Sequence, residues 1–551
     1  VKRLLLVLLA AALLPYWINL GDASIWDANE AFYVETPREM IERGDYVNPS
    51  FNYEPRFNKP VLSYWIVAGL YQLFGVSVGV QRLAIAGAAM LMIGAAYFLA
   101  RAVSPHPLAP VLAALGLAAG PRMFMFSRRI LIDMAVTALM TLTLLFFVLA
   151  ERYPHRRRLF LVLMYVSVGL GVLAKGPVAA AIPLVVFLAY LGAYREWHRL
   201  REMMIPAGIV IALVIAAPWY VLLYLQHGWT YITGFFIGEN LGRFTETVGV
   251  QARGPLFYLP VLFSDALPWS LCLPAIVAAW AGERHRADLR HRIRTLLLLW
   301  VGLIVLLFSF SQTKQDLYVF PIVAAIAALG GDWVARMLDI GPAASESRER
   351  GWLTVSLSVL AVILVALGAF VLYVFGAAQT VYRVDGAQLA GWLAASGGLV
   401  IGVCAWRRQR MPAVAVALAV FIAFNWVLAL RALPSFEQYK PVVPLSRVIE
   451  RQAMPGDAIV HFDVALPSMV FYLKRHIDIG FDPARFVEQM KSAQAVYAVL
   501  PANRYDDLKD AFGIPTCVLA RQATSDVKLR AILELEPPPE VVLISNRCGG
   551  A

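Results

Sequence analysis

Charge is scarce in this chain. Asp, Glu, Lys and Arg make up 15% of its 551 residues against 60% hydrophobic residues, and mean hydropathy is +0.65. That balance excludes a wholly water-soluble protein. Histidine (8) and cysteine (4) are few as well, and they show no spacing that would hold a structural metal. No glycine loop of the nucleotide-phosphate kind occurs. The glycines fall mainly in apolar stretches, where small side chains let membrane helices approach one another. The pI near 9.5 reflects arginine-rich loops and gives no reason to expect a nucleic-acid partner.

What remains is mostly apolar segments of membrane-crossing length. Helices are expected at about 4–20, 82–100, 107–122, 131–150, 159–174, 177–193, 203–224, 257–281, 295–310, 317–335, 352–375, 388–406 and 412–430. The N-terminal Val1-Lys2-Arg3 and its apolar run resemble a signal peptide, but no small-residue cleavage site precedes Trp26, which favours a retained first helix. Arginine clusters follow every second helix: Arg152–Arg158, Arg195–Arg201, Arg284–Arg294, Arg348/Arg350 and Arg407–Arg410. The positive-inside bias puts them in the cytoplasm. Val61–Gly75 also looks like a span, yet counting it would put Arg152–Arg158 on the wrong side. It is expected to be an embedded or interfacial helix that does not cross. The expectation is a mainly α, polytopic protein with about 13 transmembrane helices and interfacial helices in its first outer loop. The transmembrane domain covers 1–433, with outer loops at 21–81 and 225–256, and a soluble α/β domain of the outer side covers 434–551. Cys517 and Cys548 would there face an oxidising compartment, where they could pair or stay as two buried thiols. Cys272 and Cys404 fall in spans and read as packing residues.

This topology sorts the charges. Asp27, Glu30, Arg56, Lys59, Arg122, Arg128, Arg129, Asp133, Lys175, Glu239, Arg243, Lys314 and Asp316 fall on the outer side. Arg122, Arg128 and Arg129 run against the positive-inside bias, so an anionic headgroup or diphosphate could compensate them, or they could snorkel to lipid phosphates. Lys175, in Ala174-Lys175-Gly176-Pro177, leaves an ammonium at membrane depth between two spans, and Lys314 does the same in Thr313-Lys314-Gln315-Asp316. Such boundary charges are costly and usually functional, though a helix-end lysine also simply reaches water.

The motifs, taken in order, resemble those of the GT-C glycosyltransferases that use polyprenyl-phosphate donors. Within them the chain most resembles the aminoarabinose lipid A transferases (ArnT), relatives of the protein O-mannosyltransferases. The matching residues are Glu30–Met40, Arg56–Trp65, Ala174–Pro177, Glu239–Phe244 and Thr313–Pro321, spread over about 290 residues. One departure stands out: the family begins its acidic motif with adjacent Asp-Glu, and here the pair is Asn29-Glu30. Asp27 lies two residues before Asn29, and a helical turn starting there would put Asp27 and Glu30 on one face. The resemblance implies transfer of 4-amino-4-deoxy-L-arabinose from undecaprenyl phosphate to a lipid A phosphate at the periplasmic face of the bacterial inner membrane, and with it polymyxin resistance. It also implies that Lys59, Arg243 and Tyr318 contact the lipid phosphate.

Chemistry assigns the remaining roles. The departing polyprenyl phosphate gains negative charge, so fixed cations at its oxygen stabilise the transition state. Lys59, Arg56, Arg243, Lys314, Lys175 and Arg128 are the candidates, with the Tyr318 hydroxyl as a neutral donor. A guanidinium can grip two phosphate oxygens, whereas a lysine acts as a point charge. Asp27, Glu30 and Asp133 are the catalytic candidates. They would deprotonate a hydroxyl acceptor, or orient a phosphate acceptor, bind the sugar or hold a cation. No cofactor is required by these residues; a divalent metal stays open, with His227 near the acids of the outer loops. The alternatives are a GT-C enzyme that moves another lipid-linked sugar to a protein hydroxyl or glycan, and a lipid transporter or flippase. Transporters tend to show internal repeats and mid-membrane charges, whereas the informative charges here gather at one face. In 434–551, Ala458–Phe462, Ala495–Leu500, Cys517–Ala520 and Glu540–Ile544 read as strands, with helices at Pro467–Arg475 and Asn503–Phe512.

Overall fold

The computed structural model describes residues 2–27, 29–129, 131–242, 253–283, 288–338, 346–377, 381–524 and 529–548. Among these, nine helices are long and apolar enough to cross a bilayer, from Val78–Val103 to Arg410–Tyr439. A tenth candidate is broken. The expected span 257–281 is two helices, Pro255–Asp265 and Trp269–Gly282, bent by 112°. Pro268 lies in the break and has no N–H with which to continue a helical ladder.

Three more expected spans are short helices: Leu6–Tyr16, Ala109–Ala119 and Val178–Ala193. Eleven helical residues reach only about 17 Å against a hydrocarbon core of about 30 Å, so length alone does not give the expected thirteen crossings. Proline and glycine set several of these ends. Gly120-Pro121 divides Ala109–Ala119 from Pro121–Phe126, and Gly176-Pro177 divides Arg157–Lys175 from Val178–Ala193. Leu62–Phe74 is a thirteen-residue helix, also shorter than a crossing.

Helix Leu131–Arg152 forms a hairpin with Arg157–Lys175, and Val323–Leu338 packs beside Ala109–Ala119. Small residues permit these approaches. Trp269 donates its indole N–H to the Leu112 carbonyl at 3.0 Å. A Cβ at Gly116 or Gly330 would come within 1.7 or 2.5 Å of that side chain. Gly116 and Gly330 therefore mark packing contacts.

Residues beyond the last long helix form an α/β domain. Its five-stranded sheet runs in the order Asp478–Gly480, Ala458–Phe462, Val496–Pro501, Glu540–Ser545, Cys517–Ala523. The first three strands are parallel and the last two join antiparallel. Each face carries its own core, one around Leu445, Met469 and Leu543, the other around Phe462, Phe486 and Phe512. All four expected strands are present; the three-residue edge strand and helix Pro483–Met490 are additions. Cys517 and Cys548 form a disulfide. It ties the outermost strand to the segment that follows its neighbour.

Candidate active site

The first loop supplies one wall of the site and is held from two directions. Glu30 is 1% exposed, and Arg82 donates to both of its oxygens, at 2.7 and 2.9 Å. The same guanidinium donates to the carbonyls of Leu20, Ala23 and Ser24 at 2.7–2.9 Å. Removing one partner of a pair buried this deeply costs about 3–5 kcal/mol, because the other charge is left uncompensated. Glu30 is thereby engaged in fixing the loop.

The soluble domain grips the same loop. Asp27 accepts from the Ser468 backbone N–H and hydroxyl, both at 2.7 Å. The Ile25 N–H donates to the Tyr472 hydroxyl at 3.1 Å, the Ser24 N–H to Glu437 at 3.0 Å, and Lys440 to the Ser24 carbonyl at 2.9 Å. A second grip lies on the short ribbon Ser50–Pro55, where Asn52 exchanges hydrogen bonds with the Ile477 backbone at 2.8 and 2.9 Å. The expected shared helical face of Asp27 and Glu30 does not form. The helix starts at Asn29, and Asp27 stands before it, drawn to Ser468 by a contact 441 residues away in sequence.

Between this loop and the spans lies a cavity of about 530 Å³. Arg56, Lys59, Asp133, Lys175 and Tyr318, all expected site residues, line it together with Asn29 and Arg129. Apolar side chains of the helices, including Val136, Met140, Ile182 and Phe308, form the rest of the wall. Lys175 and Asp133 are ion-paired, and the Lys175 ammonium lies 5.4 Å from the centre of the Tyr318 ring. Arg56 stacks over Phe32 at 3.6 Å. Helix ends deliver these groups: Asp133 is in the first turn of Leu131–Arg152 and Lys175 closes Arg157–Lys175.

Other expected residues lie elsewhere. Asp27 and Glu30 are absent from the lining and hold the loop, as described. Arg128 donates to the carbonyls of Pro15, Ile18 and Asn19, so it secures the chain after the first helix. Lys314 is buried and donates to the Ser311 carbonyl at 2.5 Å. Arg243 lies outside the described residues, as does the side chain of Glu239. Asn29, Asn58, Thr137, Ser311 and Gln315 line the cavity without having been named as site residues from the sequence, whereas Arg129 lines it as one of the three arginines read as able to meet an anionic group. Among the described residues no group of three or more His, Cys, Asp or Glu side chains could hold a metal ion. His227 instead meets Asn48 at 2.7 Å.

The fold is that of a multi-pass membrane protein with a cavity beside its first loop. A family model described as dolichyl-phosphate-mannose-protein mannosyltransferase matches residues 58–222, the stretch that contains Lys59, Arg129, Asp133 and Lys175. The undecaprenyl phosphate-alpha-4-amino-4-deoxy-L-arabinose arabinosyl transferase of Pectobacterium carotovorum subsp. carotovorum (strain PC1) is 30% identical over 373 residues, 66% of this chain and 64% of that protein. Its namesake in Pseudomonas aeruginosa (strain LESB58) is 31% identical over 363 residues, 64% of each chain. The chain thus matches about 64% of the length of these curated relatives. The crystal structure of ArnT from Cupriavidus metallidurans bound to undecaprenyl phosphate superimposes with a TM-score of 0.80 at 22% identity, covering 100% of both chains. The chain is thus similar in sequence to these arabinosyl transferases over about two thirds of its length, and similar in fold to the ArnT structure over all of it.

Proposed function

We propose that this chain is a polyprenyl-phosphate-dependent glycosyltransferase that transfers 4-amino-4-deoxy-L-arabinose from undecaprenyl phosphate to a lipid A phosphate. The carrying observation is the cavity in which Arg56, Lys59, Lys175 and Tyr318 meet beneath an apolar wall of membrane helices. An apolar wall suits a prenyl chain and the cations suit its phosphate. The names of the relatives and the ligand in the ArnT structure support the same donor. In this reading the cavity opens to the periplasmic side of the inner membrane, and the α/β domain lies there with it.

The reaction forms a bond from an acceptor oxygen to the anomeric carbon of the sugar. The bond from that carbon to the phosphate oxygen breaks, and polyprenyl phosphate leaves with the electron pair. Lys59 and the Tyr318 hydroxyl stabilise the charge that builds on the departing oxygen; losing such a group commonly costs about 2.7–4 kcal/mol. Arg243 shares this role by resemblance. Lys175 holds Asp133 in place at the wall, where its carboxyl group orients the sugar or acceptor. A phosphate acceptor is already an anion and needs no base, which fits a lining whose one carboxylate among the described residues, Asp133, is ion-paired.

A second reading draws on Asn29. It stands at the cavity where the family carries an acid, so fewer carboxylates are at hand for a cationic amino sugar. The alternative is the same chemistry with another, uncharged lipid-linked sugar. A reconstituted transfer assay read by mass spectrometry separates them. Mass gain on lipid A from an undecaprenyl-phosphate aminoarabinose donor, lost in Lys59→Ala, supports the first reading. Undecaprenyl-phosphate binding without that transfer favours the second.

A further inference from the structure

Three arginines, Arg122, Arg128 and Arg129, occur within eight residues of sequence, and the structure gives each a different environment. Arg122 is paired with Asp265 at 2.8 Å and with Asp316. Arg128 donates through both terminal nitrogens to three backbone carbonyls, with its Nε left unpartnered. Arg129 alone of the three lines the cavity. Among the described residues it has neither an ion pair nor a side-chain hydrogen bond, and its Nε is buried without a partner. The two carboxylates near enough to act on it, Asp316 and Glu30, are committed to Arg122 and Arg82. The Trp26 ring centre lies 5.6 Å from its guanidinium carbon.

A guanidinium taken from water and left without acceptors is costly, and the cost is recovered when an anion fills its fork. Position indicates which anion. Trp26 belongs to the loop clasped by the soluble domain, and the Lys440 ammonium of that domain sits 3.8 Å from the centre of the same ring. Lys175 and Tyr318 lie by contrast where the helices contribute the apolar wall, the side that suits a prenyl chain. Arg129 therefore stands against the clasped start of the first loop at Trp26, away from the helix-end pair of Lys175 and Tyr318.

We propose that Arg129 binds the phosphate of the acceptor lipid, apart from the cations that hold the donor phosphate. This rests on the glycosyltransferase reading above. The indole of Trp26 backs the guanidinium and keeps its fork toward the cavity, so that an incoming phosphate monoester accepts two hydrogen bonds at once.

The test uses the purified full chain in detergent, with undecaprenyl phosphate and lipid A titrated separately, and with Arg129→Ala, Arg129→Lys and Lys59→Ala beside the wild type. Arg129→Ala should weaken lipid A binding on the order of tenfold to a hundredfold and leave undecaprenyl-phosphate binding within about twofold. Arg129→Lys should recover only part, since an ammonium cannot replace the fork. Lys59→Ala should show the opposite selectivity. Loss of undecaprenyl-phosphate binding in Arg129→Ala would move Arg129 to the donor site and overturn the proposal. Unchanged lipid A binding in that variant, or a wild type that binds undecaprenyl phosphate but no lipid A, would overturn it too. A wild type that binds neither lipid would instead sink the glycosyltransferase reading itself. Arg129→Lys keeps the charge in the wall, so its behaviour separates a binding effect from a folding defect.

Discussion

The two ends of one helical hairpin treat charge in opposite ways. Helices Leu131–Arg152 and Arg157–Lys175 carry Asp133 and Lys175 at one end and Glu151 and Arg157 at the other, separated by about 27 Å of helix. At the arginine-rich end, cations and anions form a network. Glu151 meets Arg199 at 2.5 Å and Arg157 at 3.9 Å, Glu202 meets Arg157 at 2.5 Å, and Glu196 meets Arg199 at 3.0 Å as well as Arg292. Nearby, Asp332 holds Arg294 at 3.0 Å and Arg336 at 3.3 Å. At the cavity end, four cations line the wall with one carboxylate among the described residues. A matched network is a structural device, and an excess of one sign around a cavity anticipates a ligand of the other sign.

Asp332→Ala should give the largest effect on folding. Asp332 is 1% exposed, and its loss removes two charged contacts and leaves Arg294 and Arg336 to Glu283, at a cost of about 3 kcal/mol. Thermal unfolding should fall well below wild type while transfer per folded molecule holds. A variant as stable as wild type would dissolve the distinction drawn between the two ends. Lys59→Ala should do the reverse, keeping the unfolding midpoint and lowering turnover by about 10²–10³. Turnover near wild type would take Lys59 out of the phosphate site.

The soluble domain offers a third treatment of charge. His461 lies in the sheet at 1% exposure, and burial pushes its pKa down to about 4. The unfolded chain therefore binds the proton first as pH falls. The stability tied to this group is complete above about pH 6.5 and is lost toward pH 4, by about 3 kcal/mol. His461→Leu should flatten that part of the stability profile of the domain. An unchanged slope would place the acid sensitivity elsewhere.

The smallest effect tests the clasp. Ser468→Ala removes one hydrogen bond from Asp27 and should cost about 1 kcal/mol, with a modest fall in turnover. If Asp27 acts through Ser468, Asp27→Asn should give a loss of similar size. Loss of turnover in Asp27→Asn that far exceeds the Ser468→Ala effect would give Asp27 a direct part in the reaction.

Local sequence carried much of this site. Lys59, Asp133 and Lys175 could be found because proline, glycine and helix ends mark where a charge can stand at membrane depth. The four expected strands were readable from short apolar runs. What escaped has distant causes. Nothing near Asp27 announces Ser468, and nothing near Glu30 announces Arg82. Arg128 and Arg129 are neighbours of identical chemistry, told apart only by which backbone carbonyls fold back to meet them. The bend in the expected span 257–281 was signalled by Pro268, which reads equally as a kink tolerated within a continuous helix. The edge strand Asp478–Gly480 was too short and too exposed to leave a pattern.

The clasp also imposes an order of events on the making of the molecule. Ser24, Ile25 and Asp27 depend on Glu437, Lys440, Ser468 and Tyr472, which a ribosome reaches more than four hundred residues later. A nascent chain that has already inserted its helices still lacks the support that sets one wall of the cavity. That wall of the cavity is thus complete only when the α/β domain has folded back on the first loop.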